Sequence, residues 1–440
     1  MRYRPFSLVF FEASDGFGDA VSTGGSSSPR WRPENIVHQT SKTNSASASR
    51  ASRKITSMSL HLLRYLTMVL IVGTLLACST RPVSPPPPAP AELARPTAPG
   101  RLDGPVAVPG SLPEYKSRWL PVEWEELPGL QDDTMHEAWN AWLRNCERPA
   151  PAFAPLCAEV RRLSIASDEE QRTWMRQRLQ PYRIEARDGQ AEGLLTGYFE
   201  PLLEAARQPG GGFEVPLYRA PAGLQARRPW FTRQQIETLA QAQAALADRA
   251  IAWVRDPIEA MVLHIQGSGR LHLREPDGST RWVRLAFAAT NEQPYQSVGR
   301  WLLDRGLVRD ATWPGISAWA QAHPERVQEM LWANPRYVFF REEPLDALDA
   351  AFGPRGAQGV ALTPGRSIAV DRLSIPYGTP VWLASTGPQV QLQRLVMAQD
   401  TGSAIVGAVR ADYFAGWGAE AGALAGRLKQ PLRLWALWPR

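Results

Sequence analysis

The 440-residue chain carries 49 Lys and Arg against 43 Asp and Glu, a formal net charge of +6. Nine of these basic residues and four of the acidic ones lie in residues 1–77, so the rest of the chain holds 40 and 39 and is almost neutral. Without a basic surface, nucleic acid is not an expected partner. The six histidines are scattered without HExxH or paired CxxC spacing, so neither a metal site nor a cofactor is expected.

The start of the chain has the features of an exported lipoprotein. Residues 1–57 are rich in Ser and Arg without a helical or strand period, and we interpret them as an extension ahead of the true start at Met58. The apolar run Leu66–Ala77 is too short to span a bilayer but fits a signal peptide over residues 58–77. It ends in Leu-Leu-Ala-Cys, which resembles a lipobox and predicts lipidation of Cys78. A buried apolar segment with a chance cysteine is the alternative.

A proline-rich stretch follows the predicted lipidation site. Residues 78–112 include four consecutive prolines, Pro85–Pro88, and their Pro and Ala content favours an extended tether. About 30 residues at roughly 3 Å each span several tens of Å. Ser79, in place of Asp, favours sorting to the outer membrane of a Gram-negative cell, with the body on the periplasmic face.

The two remaining cysteines, Cys146 and Cys157, predict a disulfide. They are separated by a short loop with three prolines, in a chain expected to reach an oxidising compartment. The bond would fix a segment with little regular structure of its own. Two buried free thiols are the alternative.

The folded body is expected to begin near residue 113, and its length suits two domains. Helical spacing of apolar residues, together with capping boxes in which Ser or Thr precedes Glu or Gln by three positions, predicts five helices. They cover Thr134–Leu143, Ser167–Leu179, Thr232–Leu246, Pro294–Arg305 and Ile316–Trp332.

Strand patterns occupy the middle and the end of the body. The apolar run Met261–Ile265 has strand character, and Pro276-Asp277-Gly278 fits a hairpin turn between Leu271–Leu273 and Trp282–Leu285. The last segment is typical of a small barrel, and the body is predicted to be α+β and mainly β. The predicted barrel strands are Ser367–Val370, Pro380–Leu383, Val390–Met397 and Leu432–Leu437.

Three aspartates in the last segment are candidates for acid–base chemistry. Asp371, Asp400 and Asp412 each end or closely follow an apolar stretch beside a turn, where a rigid scaffold displays functional groups. Cleavage of a glycosidic bond needs a carboxylic acid of raised pKa that protonates the leaving oxygen. A single aspartate in such a position is ordinarily a turn former. Three in similar settings favour a shared catalytic function.

Five further motifs accompany the aspartates in an order typical of one family. With a lipobox ahead of them, the chain from about Arg118 onward resembles the membrane-bound lytic murein transglycosylase A family, whose C-terminal part is named for three aspartates. The motifs are Leu195–Pro201, Asp256–Met261, His264–Arg270, Tyr295–Arg300 and Asn334–Phe340.

The resemblance implies a fold of two domains. Residues 113–204 and 346–440 would form a double-psi β-barrel together with N-terminal helices. Residues 205–345 would form a second, β-rich domain inserted into the first. A groove between them would hold a glycan strand of peptidoglycan.

The resemblance also implies a reaction in which Asp412 is the only acid/base. Asp412 would protonate the β-1,4 oxygen between N-acetylmuramic acid and N-acetylglucosamine. It would then accept the proton of the muramyl C6 hydroxyl as that oxygen attacks C1. The product is a 1,6-anhydromuramyl end formed without water, so one carboxylate suffices where hydrolases use two. Asp400 and Asp371 would orient Asp412 and keep it protonated.

Substrate-binding residues are implied on both walls of the groove. Glycines beside Ser268 let the backbone approach a sugar, and the Gln266 amide can bond hydroxyl or N-acetyl groups. A simple turn is the alternative for this segment, and a core position is the alternative for Tyr295. The predicted substrate-binding residues are Thr196, Gly197, Tyr198, Gln266, Gly267, Ser268, Gly269, Tyr295 and Ser297.

Two other functions remain open from the sequence. An inverting glycoside hydrolase would use Asp412 as the acid and Asp400 to activate water, with the two carboxyl groups roughly 6.5–9.5 Å apart. A non-catalytic lipoprotein that tethers the outer membrane to the wall would need no acid of raised pKa. The expected partners are peptidoglycan strands and, through Cys78, outer-membrane lipid, while protein partners in wall remodelling are unknown.

Overall fold

The computed structural model describes residues 110, 112–113, 116–346, 349–388 and 390–440. The predicted extension, the signal peptide, Cys78 and nearly all of the tether lie outside the described residues. All described residues belong to one compact unit, Arg95–Arg440. Within these ranges no helix has both the length and the apolar character needed to cross a membrane.

The described residues contain fifteen strands. They are, in chain order, β1 (Leu112–Pro113), β2 (Ser117–Pro121), β3 (Leu179–Ala186), β4 (Gly193–Glu200), β5 (Leu202–Ala206), β6 (Val215–Tyr218), β7 (Ala250–Val254), β8 (Gly269–Arg274), β9 (Thr280–Thr290), β10 (Val338–Pro344), β11 (Ser367–Val370), β12 (Pro380–Thr386), β13 (Gln391–Asp400), β14 (Arg410–Trp417) and β15 (Lys429–Pro439). The predicted end of the tether, residue 112, therefore falls inside β1.

The same ranges contain ten α-helices. They are α1 (Met135–Asn145), α2 (Cys157–Arg162), α3 (Asp168–Arg178), α4 (Arg233–Thr238), α5 (Ala240–Leu246), α6 (Pro257–Gln266), α7 (Val298–Asp304), α8 (Trp313–Ala322), α9 (Val327–Trp332) and α10 (Gly418–Arg427). The predicted capping boxes are present at Ser167 before α3 and at Thr232 before α4. The helix predicted after Thr232 is interrupted at Leu239, and the one predicted over Ile316–Trp332 is interrupted at Pro324. Cys146 and Cys157 form the predicted disulfide, which links α1 to α2.

The larger sheet has nine strands in the order β1-β2-β3-β15-β12-β13-β11-β14-β4, and β15 also pairs with β4. This extra pairing joins β4, β14, β11, β13, β12 and β15 into a ring. Two pairs of neighbouring strands in the ring are parallel, β11 with β13 and β14 with β4. The chain is therefore mainly β with a barrel at its C-terminal end, as the sequence predicts.

Both faces of β11 and of most of β12 are buried, which explains the continuous apolar sequences of these two strands. On β12, Val381 and Leu383 belong to one buried cluster, which also includes Leu434 from β15. Trp382 points the other way and belongs to a cluster with Trp139 of α1. The helices that precede the barrel in sequence thus seal its outer face and hold β13 and β15 in position.

The smaller sheet has six strands in the order β10-β9-β8-β5-β7-β6. The predicted hairpin is confirmed, since β8 and β9 pair antiparallel on either side of Pro276-Asp277-Gly278. The strand predicted over Met261–Ile265 is wrong, because these residues belong to α6. Asp256 caps this helix by accepting the Ile258 N–H at 2.7 Å, and Gly267 ends it with φ +81°. These end signals decide between helix and strand where a short apolar run cannot.

The two sheets are joined by a buried ion cluster. Glu200, at the end of β4, is fully buried and accepts from Arg270 of β8 at 3.0 Å and from Arg284 of β9 at 2.9 Å. Both guanidiniums also donate to the Phe352 carbonyl. One carboxylate thus fixes the smaller sheet to the strand that carries the candidate site.

Candidate active site

A cavity of about 260 Å³ lies between the barrel and the segments that surround the smaller sheet. The barrel contributes strands β4 and β14 with the loop between β13 and β14. The other wall is formed by the end of α6 and the segments before α7 and β10. The lining residues are Thr196, Gly197, Tyr198, His264, Ile265, Gln266, Tyr295, Asn334, Arg336, Gly402, Ser403, Ala404, Ile405, Arg410 and Asp412.

Asp412 is the third residue of β14 and does not lie in a turn, which corrects the predicted setting. Strand β14 pairs with β11 on one side and with β4 on the other, where Asp412 stands opposite Thr196. The Thr196 hydroxyl donates to Asp412 Oδ1 at 2.5 Å and accepts from Arg410 Nη2 at 2.8 Å. Three side chains of two parallel strands therefore form a short chain of hydrogen bonds.

The environment of Asp412 favours the protonated acid. Burial raises the pKa of Asp412 above its ordinary value, although the Thr196 hydrogen bond and the Arg410 charge act in the opposite direction. The carboxyl is nevertheless only partly buried, because it lines the cavity. It can therefore reach a bound substrate.

Asp400, the last residue of β13, does not line the cavity but contacts Tyr198, which does. Its Oδ2 accepts the Tyr198 hydroxyl at 2.9 Å, and its Oδ1 accepts the Ala357 N–H at 3.0 Å. Burial raises the pKa of Asp400, and the charge of nearby Asp412 acts in the same direction. The direct side-chain contact of Asp400 is thus with Tyr198 and not with Asp412.

Asp371 does not line the cavity and has no hydrogen bond to Asp412, which corrects the prediction that it orients Asp412. Its carboxylate accepts from Lys116 at 3.0 Å and from the N–H groups of Gly407 and Leu373. Burial alone would raise the pKa of Asp371, but these three donors together lower it. Gly407 belongs to the loop that lines the cavity, so Asp371 holds that loop from outside.

We expect Asp371→Asn to lower stability by about 1–2 kcal/mol, because an amide is a weaker acceptor and loses the partly exposed Lys116 ion pair. The lowered pKa means that this stabilisation is present above the unfolded-state pKa and is lost as pH falls through the folded-state pKa. Urea unfolding at neutral pH should show the difference, and in strong acid the two proteins should converge. Equal stability at neutral pH would contradict the assignment.

The segment Gln266–Gly269 is only partly in the cavity. Gln266 lines it and accepts the Phe199 N–H through Oε1 at 3.0 Å, which leaves its amide hydrogens for a ligand. Gly267 ends α6, Ser268 is buried, and a Cβ on Gly269 would lie 2.5 Å from Leu263 Cδ1. These three residues therefore shape the end of the helix and do not line the cavity.

The remaining predicted binding residues differ in position. Tyr295 lines the cavity and is 38% exposed, so the alternative core position does not hold. Ser297 instead caps α7 by accepting the Arg300 N–H. His264 is buried; burial lowers its pKa well below the ordinary value, and Nδ1 lies 2.9 Å from Arg233 Nη2. It therefore stays neutral at the cavity wall.

Sequence reasoning missed Asn334, Arg336 and Arg410 as cavity residues. Asn334 and Arg336 lie in a motif that carries the family resemblance, and that was their only signal. Arg410 had none, because its place beside Thr196 depends on a strand pairing across more than two hundred positions. In the described part of the chain, no cluster of three His, Cys, Asp or Glu side chains could hold a metal ion.

Two segments of the chain match the models of known protein families. Residues 194–341 match the family model of the MltA specific insert domain, and residues 366–438 match that of the 3D domain. The membrane-bound lytic murein transglycosylase A of Vibrio cholerae is 31% identical over 271 residues, which cover 59% of this chain and 69% of that protein.

Two solved structures are similar over most of their length. The lytic transglycosylase LtgG of Burkholderia pseudomallei is 44% identical with a TM-score of 0.54, and the match covers 77% of this chain and 99% of that one. MltA from Neisseria gonorrhoeae is 29% identical with a TM-score of 0.63, over 76% and 96% of the two chains. The chain belongs to the membrane-bound lytic murein transglycosylase A family.

Proposed function

We propose that this protein is a peptidoglycan lytic transglycosylase. It cleaves the β-1,4 bond between N-acetylmuramic acid and N-acetylglucosamine and leaves 1,6-anhydromuramyl ends, in the turnover and remodelling of the cell wall. The observation that carries the proposal is Asp412, the one carboxyl among the described residues that line the cavity, whose pKa is raised by burial. The relatives' names, lytic murein transglycosylase A and lytic transglycosylase, support the same reaction.

The hydrogen bonds around Asp412 determine which oxygen carries the catalytic proton. Because Thr196 Oγ1 accepts from Arg410, its own hydrogen is directed to Asp412 Oδ1. Oδ2 is left to hold the acid proton and to give it to the glycosidic oxygen as the C1–O bond breaks. The carboxylate then takes the proton of the muramyl C6 hydroxyl as O6 bonds to C1. Asp412 ends protonated, as it began, and no water is consumed.

Asp400 acts through Tyr198 in this proposal. Both of its oxygens already accept hydrogen bonds, from Tyr198 and from Ala357, and it does not line the cavity. It is therefore poorly suited to activate water, as an inverting hydrolase would require. It is well suited to hold the Tyr198 ring, which contacts Phe414 with centroids 5.2 Å apart, at the edge of the cavity.

We also propose a domain architecture and a cellular location for the protein. The ring of six strands fits a double-psi β-barrel formed by residues 113–204 and 346–440, with residues 205–345 as the inserted domain. Lipidated Cys78 would anchor the protein to the outer membrane, and the proline-rich tether would let the body reach the wall from the periplasmic face.

Digestion of purified murein by the full-length protein tests the proposed function. Mass spectrometry of the released fragments should find 1,6-anhydromuramyl ends. Reducing ends would indicate a hydrolase, and intact murein would indicate a wall-binding lipoprotein. Either of these results would overturn the proposal.

The pH dependence of cleavage should report the Asp412 proton. Activity is expected to fall as pH rises through the raised pKa of Asp412, because the acid form is then lost. The stabilisation from keeping this acid neutral is present below its unfolded-state pKa and lost as pH rises through the folded-state value. A rate that is flat from acid to mildly alkaline pH would contradict the role of Asp412.

Thr196→Val should move this pH profile. The hydrogen bond from Thr196 lowers the pKa of Asp412, so its removal should shift the upper limb of kcat to higher pH. The plateau should fall about tenfold, because the acid loses one orienting hydrogen bond. Thr196→Ser keeps the hydroxyl and should retain the wild-type profile. If the Val and Ser variants have the same profile, the hydrogen-bond argument is wrong.

A further inference from the structure

Two arginines line the catalytic cavity without an ion pair of their own, and the only carboxylate whose charge acts on either of them is Asp412, which Thr196 links to Arg410. Arg336 donates to the Gln293 carbonyl at 3.4 Å. Burial lowers its pKa, and no carboxylate offsets the effect. Arg410 donates to Thr196 and to the carbonyls of Leu194 and Ala411. In the part of the chain that the structure describes, neither guanidinium forms an ion pair.

Three deeply buried arginines outside the cavity lining, in contrast, have carboxylate partners. Arg270 and Arg284 share Glu200, and Arg366 pairs with Asp133 at 2.7 Å. Once Asp412 is protonated, neither partly buried guanidinium has a counter-charge, and because such cations are costly, their presence in the cavity points to an anion supplied by a ligand. Because Asp412 is neutral when it acts as the acid, the cavity is then positively charged.

We propose that Arg336 and Arg410 form an anion subsite that binds a carboxylate on the C3 substituent of the muramyl residue. This inference rests on the proposed function, since it specifies the substrate of the same site. Muramic acid differs from N-acetylglucosamine by a lactyl ether at C3. Its carboxylate is free on peptide-free strands, and on other strands it is linked to a stem peptide that carries carboxylates of its own.

The subsite would also couple substrate recognition to the acid. The positive charge of Arg410 lowers the pKa of Asp412. A bound carboxylate next to Arg410 would offset that charge, so the correct sugar would help to keep Asp412 protonated. A neutral glycan would bind without this effect.

Binding measurements on an Asp412→Asn background, in which the glycan stays intact, test the inference. The probes are peptide-free murein oligosaccharides, the same oligosaccharides with stem peptides, and chitohexaose, which has no carboxylate. Adding Arg336→Gln should raise the Kd for a carboxylate-bearing probe about tenfold and change that for chitohexaose less than about twofold. Weaker binding of the peptide-free probe identifies the lactyl carboxylate as the ligand, and weaker binding of the probe with stem peptides identifies a stem carboxylate.

Two further variants separate charge from folding. Arg309→Gln removes the same charge from an exposed position outside the cavity and should leave every Kd unchanged. Arg336→Lys should restore part of the lost affinity. If Arg336→Gln weakens the binding of all three probes equally, or of none, the inference is overturned. Product analysis of the wild-type protein tests the proposed function independently of the subsite. If anhydromuramyl ends form but the Kd changes are equal for all probes, the proposed function stands and the subsite does not.

Discussion

Asp412→Asn is expected to lower kcat for murein cleavage by about 10²–10⁴-fold while the protein remains folded. The amide cannot donate the acid proton and then take the C6 hydroxyl proton. It can still accept the Thr196 hydrogen bond that Oδ1 receives, so the pairing of β14 with β4 should survive. Release of soluble fragments from murein gives the rate, and thermal unfolding reports the fold.

Asp132→Asn is the matched control. Asp132 is exposed and lies outside the cavity, so the same chemical change there should leave kcat unaltered. The Asp412→Asn protein should also still bind murein. If its turnover matches that of the wild type, another residue supplies the proton and the mechanism is wrong.

Glu200→Ala is expected to lower the free energy of unfolding by about 3–5 kcal/mol. Glu200 is fully buried and accepts from Arg270 and Arg284, which are themselves buried. Its removal leaves two guanidiniums without a counter-charge at the junction of the two sheets. Urea unfolding followed by tryptophan fluorescence measures the loss.

Glu204→Ala provides the comparison four residues further along the chain. The Glu204 side chain is 66% exposed and pairs with His272 at 3.1 Å. Exposed pairs contribute little, so the change should be below about 1 kcal/mol. Similar losses from the two variants would show that burial of the Glu200 cluster does not carry the effect.

Local signals in the sequence predicted the helices best. The capping boxes at Ser167 and Thr232 are complete within four residues, so they were visible without tertiary information. The strand predicted over Met261–Ile265 was wrong because apolar content alone does not distinguish a short strand from a helix. Asp256 before this run and Gly267 after it specify a helix.

Long-range pairing limited what could be predicted of the site. Strand β14 was missed because Asp412 and Gly416 disfavour a strand, and only pairing with β4 and β11 makes it one. The same pairing brings Arg410 and Thr196 to Asp412. Asp371 lies in a similar sequence setting, yet Lys116 and Gly407 hold it at the outer side of a loop. The distinct positions of the three aspartates become apparent only in the folded chain.

Digestion of murein in water enriched in ¹⁸O tests the central claim most directly. If Asp412 assists the muramyl C6 hydroxyl in attacking C1, no solvent oxygen enters the products, and the new ends have the mass of unlabelled anhydromuramyl residues. Incorporation of one ¹⁸O at each new end would show that water is the nucleophile. That result would contradict transglycosylation by this site.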